Sequence, residues 1–408
     1  MSLPEEFISY TSRLFGERRW QKYLNAFNEE TPVSIRFNPF KPVSKKEDLG
    51  EAVPWCRNAF YLSERPNFTL DPLLHAGAYY VQEASSMFLD YVVREVVLKI
   101  FSKKEGAVLD LCAAPGGKST LLRAALPDGV KLYSNEPDRK RANILMENMQ
   151  KQGHPNVIVT NNLPRDYQKA GIKFDMILTD VPCSGEGMFR KDEGAIGEWS
   201  VENVLKCQAL QRSIIEDIWD NLNDGGVLIY STCTFNTREN EENVRWILEN
   251  FDAEIVPVFV KPEWNITGSL LKDFDYPVFR FIPGITKGEG LFMAVLRKNG
   301  STKERSKSSN RLRILSDGNP QPTIKGKNII PPHAEALLIN TPQEKYPRVE
   351  LSKEDALRYL HHEALVLPAE TPKGFVIVTY DGLSLGFVKN IGNRANNLYP
   401  QEWRIRNL

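Results

Sequence analysis

The stretch LDLCAAPGGKST, residues 109–120, decides the fold. An apolar run passes through Asp110, and Pro115, Gly116 and Gly117 then turn the chain into a helix. Glycines at such a turn let backbone approach a ligand closely, and the first helical N–H groups are free to donate. The spacing is neither G-x-G-x-x-G nor G-x-x-x-x-G-K-[ST], so it is neither the dinucleotide fingerprint nor a phosphate-cradling loop. The next apolar run ends at Glu136, 20 positions after Gly116. Doubly wound folds place a carboxylate at about that distance to hold ribose hydroxyls. A strand-end surface glutamate is the plainer alternative, but turn and carboxylate together predict a nucleoside site.

Outward from this stretch, short apolar runs alternate with longer helical patterns. Strands are expected at AVLDL (107–111), KLYSNE (131–136), VIVT (157–160), FDMILTD (174–180) and GVLIYST (226–232). Helices are expected near 118–126, 138–152, 203–222 and 238–250, and QEASSMFLDYVVREVVLKIF (82–101) reads as an amphipathic helix in front of them. Buried strands alternating with helices make an α/β fold with a parallel sheet covered on both faces. Residues 278–298 read as two further strands around a glycine-containing loop, giving one antiparallel edge strand.

Four regions follow. Residues 1–70 form an N-terminal extension, helical at first and then a strand at VSIRFNPF; 71–298 form the α/β core. Residues 299–312 form a basic, serine-rich linker, and 313–408 a small α+β region. In that last region FVIVTY and LSLGFVKN flank Asp381-Gly382, a hairpin signature. Basic and acidic residues balance at 52 each, so net charge argues neither for nor against a nucleic-acid partner. Local clusters are more telling: Arg13, Arg18, Arg19 and Lys22 near the start, the run 297–313, and Arg394, Arg404 and Arg406 beside Tyr399 and Trp403. Core packing is the leading reading of that aromatic pair, base stacking the second. No apolar stretch is long enough for a membrane helix, and MSLPEEFISYTSRLF lacks the apolar centre of a signal peptide. Five cysteines without an export signal are expected to stay reduced in the cytoplasm.

The cysteines are not equivalent. Cys56 and Cys207 read as small buried hydrophobes. Cys183 (TDVPCSGEGMF) and Cys233 (YSTCTFN) follow directly on strands, at the end of an open parallel sheet where ligands bind. Asp180 closes the strand before Cys183. Asn236 and Glu239 have capping-box spacing, so a helix starting near Asn236 would turn its positive end towards Cys233 and favour a thiolate. His75, His154, His333, His361 and His362 lie far from both cysteines in sequence, and there is no C-x-x-C, so neither a Cys–His pair nor a metal site is expected.

LDLCAAPGGKST, SNEPD, TDVPCSGEGMFRKD and YSTCTFNTRENEENV together resemble the Sun family of RNA 5-methylcytosine methyltransferases. QEASSM resembles that family's lead-in helix and GEGLFMAVLRK its closing strand; GNRANNLYPQEWRI resembles the bacterial branch that acts on 16S ribosomal RNA. The resemblance implies a Rossmann-like S-adenosylmethionine methyltransferase sheet and a PUA-like hairpin module at the C-terminus. It implies catalytic roles for Cys233 as nucleophile, Cys183 in resolving the covalent adduct, Asp180 on the cytosine ring, and Lys118. For the cofactor it implies Cys112, Ala113, Ala114, Pro115, Gly116, Gly117 and Lys118 around the methionine part, Glu136 on the ribose, and Asp180 close by. The chemistry itself asks for one nucleophilic sulfur, one acid to protonate or hydrogen-bond the ring at N3, and one base. Cytosine C5 needs a thiolate on C6 before it can take a methyl group, and a base must then remove the C5 proton. Relatives often carry an aspartate after the third strand for the adenine amino group. Leu163 stands there, with Asn162 or Asp166 as substitutes.

The expected partner is small-subunit ribosomal RNA, presented as a loop or an assembling particle because the target base must be extruded. A monomer is expected, with no membrane and no metal. The rivals are a transfer-RNA enzyme of the same chemistry, a DNA methyltransferase, and a non-catalytic assembly factor that keeps the fold. The placement of Cys233 argues against the second, and the intact Cys183, Cys233 and Asp180 against the third.

Overall fold

Parallel strands need crossover connections, and the helical runs between the apolar runs supply them. In the computed structural model, which describes residues 3–44, 49–100, 105–300, 311–326 and 328–407, Gly106–Asp110 lies between Val130–Asn135 and Phe174–Asp180, parallel to both. The chain lays Val130–Asn135 and Val157–Thr160 to one side, then crosses back to lay Phe174–Asp180 and Leu222–Thr232 on the other. That reversal opens a crevice at the carboxyl ends of the strands. Successive side chains enter opposite layers. Val108, Met176 and Ile229 join one hydrophobic cluster, and Leu109, Ile177 and Leu228 the other. Burial on both faces is why these runs are apolar without alternation.

The antiparallel strand is Leu291–Lys298, paired to Leu222–Thr232. It is not the last strand, because Ala253–Ile255 pairs along its far side and Phe279–Phe281 also pairs with it. At the opposite edge Ile314–Ser316 adds antiparallel to Val157–Thr160. Residues just past the expected linker therefore belong to the core sheet, and the boundary expected at 313 moves beyond 316. Residues 301–310, most of the basic linker, lie outside the described residues.

The N-terminal unit also extends past its expected limit at 70. Helices Glu5–Phe15 and Glu17–Ala26 precede a four-stranded sheet in the order Leu49–Ala52, Ala59–Leu62, Ser34–Phe37, Tyr79–Val81. Its last strand comes from residues 79–81, so cutting at 70 would split the sheet. The helix expected over 82–101 starts only at Ser85, where Glu83 accepts the N–H groups of Ser85 (2.8 Å) and Ser86 (2.9 Å) and acts as its cap. It changes winding along its length, with a π-helical stretch at Val93–Val97. In the C-terminal region, Gly374–Tyr380 and Leu383–Asn390 form the expected hairpin, with Asp381 and Gly382 at φ 49° and 75°. Positive φ at both positions matches the twist of the strands. Tyr399 is buried, and Trp403 packs edge-on to His333 beneath the Lys151 ammonium, so both serve packing rather than an open stacking surface.

Candidate active site

Cys183 and Cys233 lie on the loops that follow two neighbouring strands, and their sulfurs are 3.3 Å apart. Phe174–Asp180 and Leu222–Thr232 run in parallel register with Asp180 opposite Ser231, so the loops leaving them emerge side by side. The Cys183 thiol is held well above its ordinary value, first because it shares a hydrogen bond with Cys233 and then because it is buried. A proton is therefore retained on Cys183, facing the Cys233 sulfur. Cys56 is buried, and its thiol is pushed up to about 12 by burial; Cys207 donates weakly to Asn203. Neither approaches this pair through any hydrogen bond.

Asp180 closes the strand that leads to Cys183. Its Oδ2 accepts from Lys118 Nζ at 2.8 Å and its Oδ1 from the Ser231 hydroxyl at 2.7 Å. Burial disfavours the Lys118 ammonium, but Asp180 and the nearby Cys233 sulfur outweigh it, and its pKa is raised. The Lys118 ammonium, paired to Asp180, thus lies within electrostatic reach of the Cys233 sulfur. That replaces the charge expected from a helix end. The helix after Cys233 begins only at Glu241, behind a turn over 237–240, so its free N–H groups are not at the thiol. Asn236 Oδ1 does accept the Glu239 N–H (2.9 Å), as the capping spacing implied, but the Glu239 carboxylate turns back into the core.

The glycine turn fits a closely held cofactor. Gly116 has φ +120°, and a Cβ there would lie 3.3 Å from Asn148 Cβ; one on Gly117 would lie 3.3 Å from the Tyr80 ring. The 139–152 helix braces the turn, Arg141 bonding the Ala114 carbonyl (3.0 Å) and Asn148 that of Pro115 (2.8 Å). From the N-terminal unit, Arg36 bonds the Gly117 carbonyl (3.2 Å) and Thr120 hydroxyl (2.8 Å). Glu136 is buried. Its Oε1 accepts the Asp138 N–H (3.0 Å), while Oε2 makes no close hydrogen bond, with the Arg141 guanidinium at 3.4 Å and the Ala114 N–H also turned towards the carboxylate. An unsatisfied buried carboxylate oxygen at a strand end suits ribose hydroxyls. Cys112 and Ala113 sit in the same turn, the Ala113 N–H bonding the Asn135 carbonyl at 2.8 Å.

The adenine side differs from expectation. Asn162 is buried, but its amide is already committed to the Arg313 backbone: Nδ2 donates to the carbonyl (3.1 Å) and Oδ1 accepts the N–H (2.9 Å). Its Oδ1, the atom that would accept from an adenine amino group, already takes the Arg313 N–H. Leu163 is 43% exposed, and Asp166 bonds the Leu163 N–H (2.9 Å) as a helix cap. Ser231, Arg141, Glu186 and Glu239 were missed as site residues. The first lies one residue from a strand end, the second five residues past Glu136, and the last two within the quoted cysteine motifs, so strand register and motif acids were the available signals. Among the described residues, no His/Cys/Asp/Glu group is arranged for a metal ion, and no helix is long and apolar enough to cross a membrane.

Three family models match: 16S rRNA methyltransferase RsmB/F over residues 97–297, the N-terminal domain of 16S rRNA methyltransferase RsmF over 3–84, and the methyltransferase RsmF PUA domain over 346–405. The chain is 36% identical to the ribosomal RNA small subunit methyltransferase F of Pectobacterium atrosepticum, over 74% of its own length and 63% of that protein's. To the protein of the same name from Aliivibrio fischeri it is 32% identical over 98% of its length and 97% of the relative's. A methyltransferase homolog from Pyrococcus horikoshii superposes with TM-score 0.61 at 28% identity, covering 72% of this chain and 95% of that one. The fold, glycine turn and strand-end carboxylate define an S-adenosylmethionine-dependent methyltransferase. Within that class, the chain belongs to the ribosomal RNA small subunit methyltransferase F family.

Proposed function

We propose that this protein methylates C5 of specific cytidines in 16S ribosomal RNA, with Cys233 adding to C6 and Cys183 assisting release. The observation that carries this reading is the pair of sulfurs at 3.3 Å, with the Lys118–Asp180 ion pair within electrostatic reach of Cys233. When bound between residues 112–118 and Glu136, S-adenosylmethionine supplies the methyl group. Lys118 stabilises negative charge on the Cys233 sulfur, which bonds to C6. Asp180, held by Ser231 and Lys118, faces the ring and fixes its orientation. The electron pair of the C5–C6 double bond is thereby freed for C5 to take the methyl group. The C5 proton must then leave to a base before the sulfur can, and Cys183, whose thiol keeps its proton against the Cys233 sulfur, is placed to hydrogen-bond the sulfur as it departs. The names of the relatives support ribosomal RNA as substrate, and the match to the PUA domain supports RNA recruitment by the C-terminal region.

The test uses two variants. Cys233→Ala is expected to abolish methylation while still binding S-adenosylhomocysteine. Cys183→Ala is expected to accumulate a protein–RNA adduct that survives denaturing electrophoresis. Adduct from Cys233→Ala and none from Cys183→Ala would reverse the roles. Bisulfite sequencing of ribosomal and transfer RNA from a deletion strain identifies the target; loss of a transfer-RNA mark alone would overturn the ribosomal reading.

A further inference from the structure

Two buried carboxylates outside this chemistry cross between the cysteine loops. Glu186, three residues after Cys183, reaches into the loop of Cys233. Its Oε2 accepts the backbone N–H groups of Phe235 (2.6 Å) and Asn236 (2.9 Å), and its Oε1 accepts Trp199 Nε1 (3.0 Å) and Asn236 Nδ2 (3.1 Å). Glu239, six residues after Cys233, reaches the other way. Its Oε2 accepts the Ser184 N–H (3.0 Å) and Gln211 Nε2 (2.7 Å), and its Oε1 accepts the Ser184 hydroxyl and Asn236 Nδ2 (2.8 Å). Each carboxylate takes four donors, which is about its full acceptor capacity. The Gly187 N–H adds a direct bond to the Cys233 carbonyl (2.8 Å), possible only because Gly187 lacks a Cβ. Each loop thus grips the backbone next to the other loop's cysteine.

Burying two carboxylates costs several kcal/mol each before their hydrogen bonds offset it, and apolar residues would hold two loops together with less desolvation. What apolar packing does not give is a fixed register between two backbones. We propose that Glu186 and Glu239 are positioning residues: their reciprocal clasp keeps Cys183 against Cys233 during release of the methylated base. The inference rests on the two-thiol reading above. Release breaks the bond between Cys233 Sγ and C6. The C5 proton passes to a base, its electron pair restores the C5–C6 double bond, and the sulfur leaves with the bonding pair. Displacement of Cys183 removes the S–H that stabilises the departing Cys233 thiolate, so the adduct persists.

The experiment compares Glu186→Gln, Glu239→Gln and Ser184→Ala with the wild-type chain, Cys183→Ala and Cys233→Ala. All are incubated with S-adenosylmethionine and unmethylated small-subunit ribosomal RNA. Adduct on denaturing gels, methyl transfer, Tm and S-adenosylhomocysteine affinity are read together. Both glutamine variants are expected to lose about tenfold to a hundredfold in turnover, the range for a misplacement near 1 Å. Adduct should rise several-fold towards the Cys183→Ala level, with cofactor affinity unchanged. Ser184→Ala, which removes a single hydroxyl, should fold normally and give a smaller rise. Adduct at the wild-type level in Ser184→Ala and in the folded glutamine variants overturns the clasp, whether or not turnover falls. If Cys183→Ala itself yields no adduct, the two-thiol reading fails and the clasp fails with it.

Discussion

Replacing Glu136 by glutamine should weaken the cofactor without weakening the fold. The carboxylate has one oxygen on the Asp138 N–H and one buried without a hydrogen bond. If both oxygens face ribose hydroxyls, glutamine converts one charged bond to a neutral one and places an NH2 group where an acceptor is needed. Hydrogen bonds to charged groups contribute about 1.5–3 kcal/mol and neutral ones about 1 kcal/mol. The expected loss is about 2–4 kcal/mol, a rise of roughly 30- to 1000-fold in Kd. Burial raises the Glu136 pKa, partly offset by the Asp138 N–H and Arg141. A carboxyl whose folded value lies above its unfolded one favours the fold at low pH, and that contribution is lost as pH rises through the folded value. At neutral pH the ionised group is therefore a liability that glutamine removes, so the Tm of the ligand-free variant should equal or exceed wild type. Titration calorimetry with S-adenosylhomocysteine, paired with a thermal melt, reads both. A Kd within about threefold of wild type would refute the ribose assignment.

Two further outcomes follow from the geometry. Gly187→Ala would put a Cβ 2.7 Å from both the Cys233 carbonyl oxygen and Gly290 Cα. The strain should cost about 1–3 kcal/mol in urea unfolding and lower methylation with cofactor binding intact; full activity would show that the loops are not held at this distance. Asp110 is pushed up to about 7, chiefly by burial, with one oxygen on Ser119 and the other unpartnered. Its folded value lies above the unfolded one, so the stability of its neutral form is complete in acid and lost as pH rises through about 7. Asp110→Asn should therefore be more stable than wild type by about 4 kcal/mol at pH 8 and by about 2 kcal/mol at pH 5, with the two nearly equal only near pH 3. Parallel pH profiles from urea unfolding would place the effect elsewhere.

The five parallel strands were legible because each is a short apolar run closed by turn residues, and burial on both faces leaves little room for another reading. Phe174–Asp180 matched to the residue. What sequence pattern missed depends on partners distant in the chain. Tyr79–Val81 gives no sign that it completes a sheet begun at Ser34, and Ile314–Ser316 is too short to show period or length. The helix after Cys233 starts late even though Asn236 Oδ1 takes the Glu239 N–H as a cap would, because the chain makes a turn over 237–240 before winding into the helix at Glu241. Within the site, the strand-end cysteines and Asp180 were readable from position alone. That the Asn162 amide bonds the Arg313 backbone was not readable, because the two residues lie 151 positions apart.

The strand at Ile314–Ser316 sets how much of the chain makes a catalytic unit. The 16S methyltransferase model ends at residue 297, and a fragment trimmed there looks complete. It would nevertheless leave Val157–Thr160 with a bare flank of backbone donors and acceptors, the kind of margin on which chains stack into aggregates. It would also strip Asn162 of both bonds that fix the loop beside Glu136. The C-terminal region therefore cannot be treated as a detachable adaptor: its first few residues act as a selvedge for the sheet, and the smallest soluble catalytic core should run to about residue 318, through Gly318, whose close approach to the Pro155 carbonyl seals that seam.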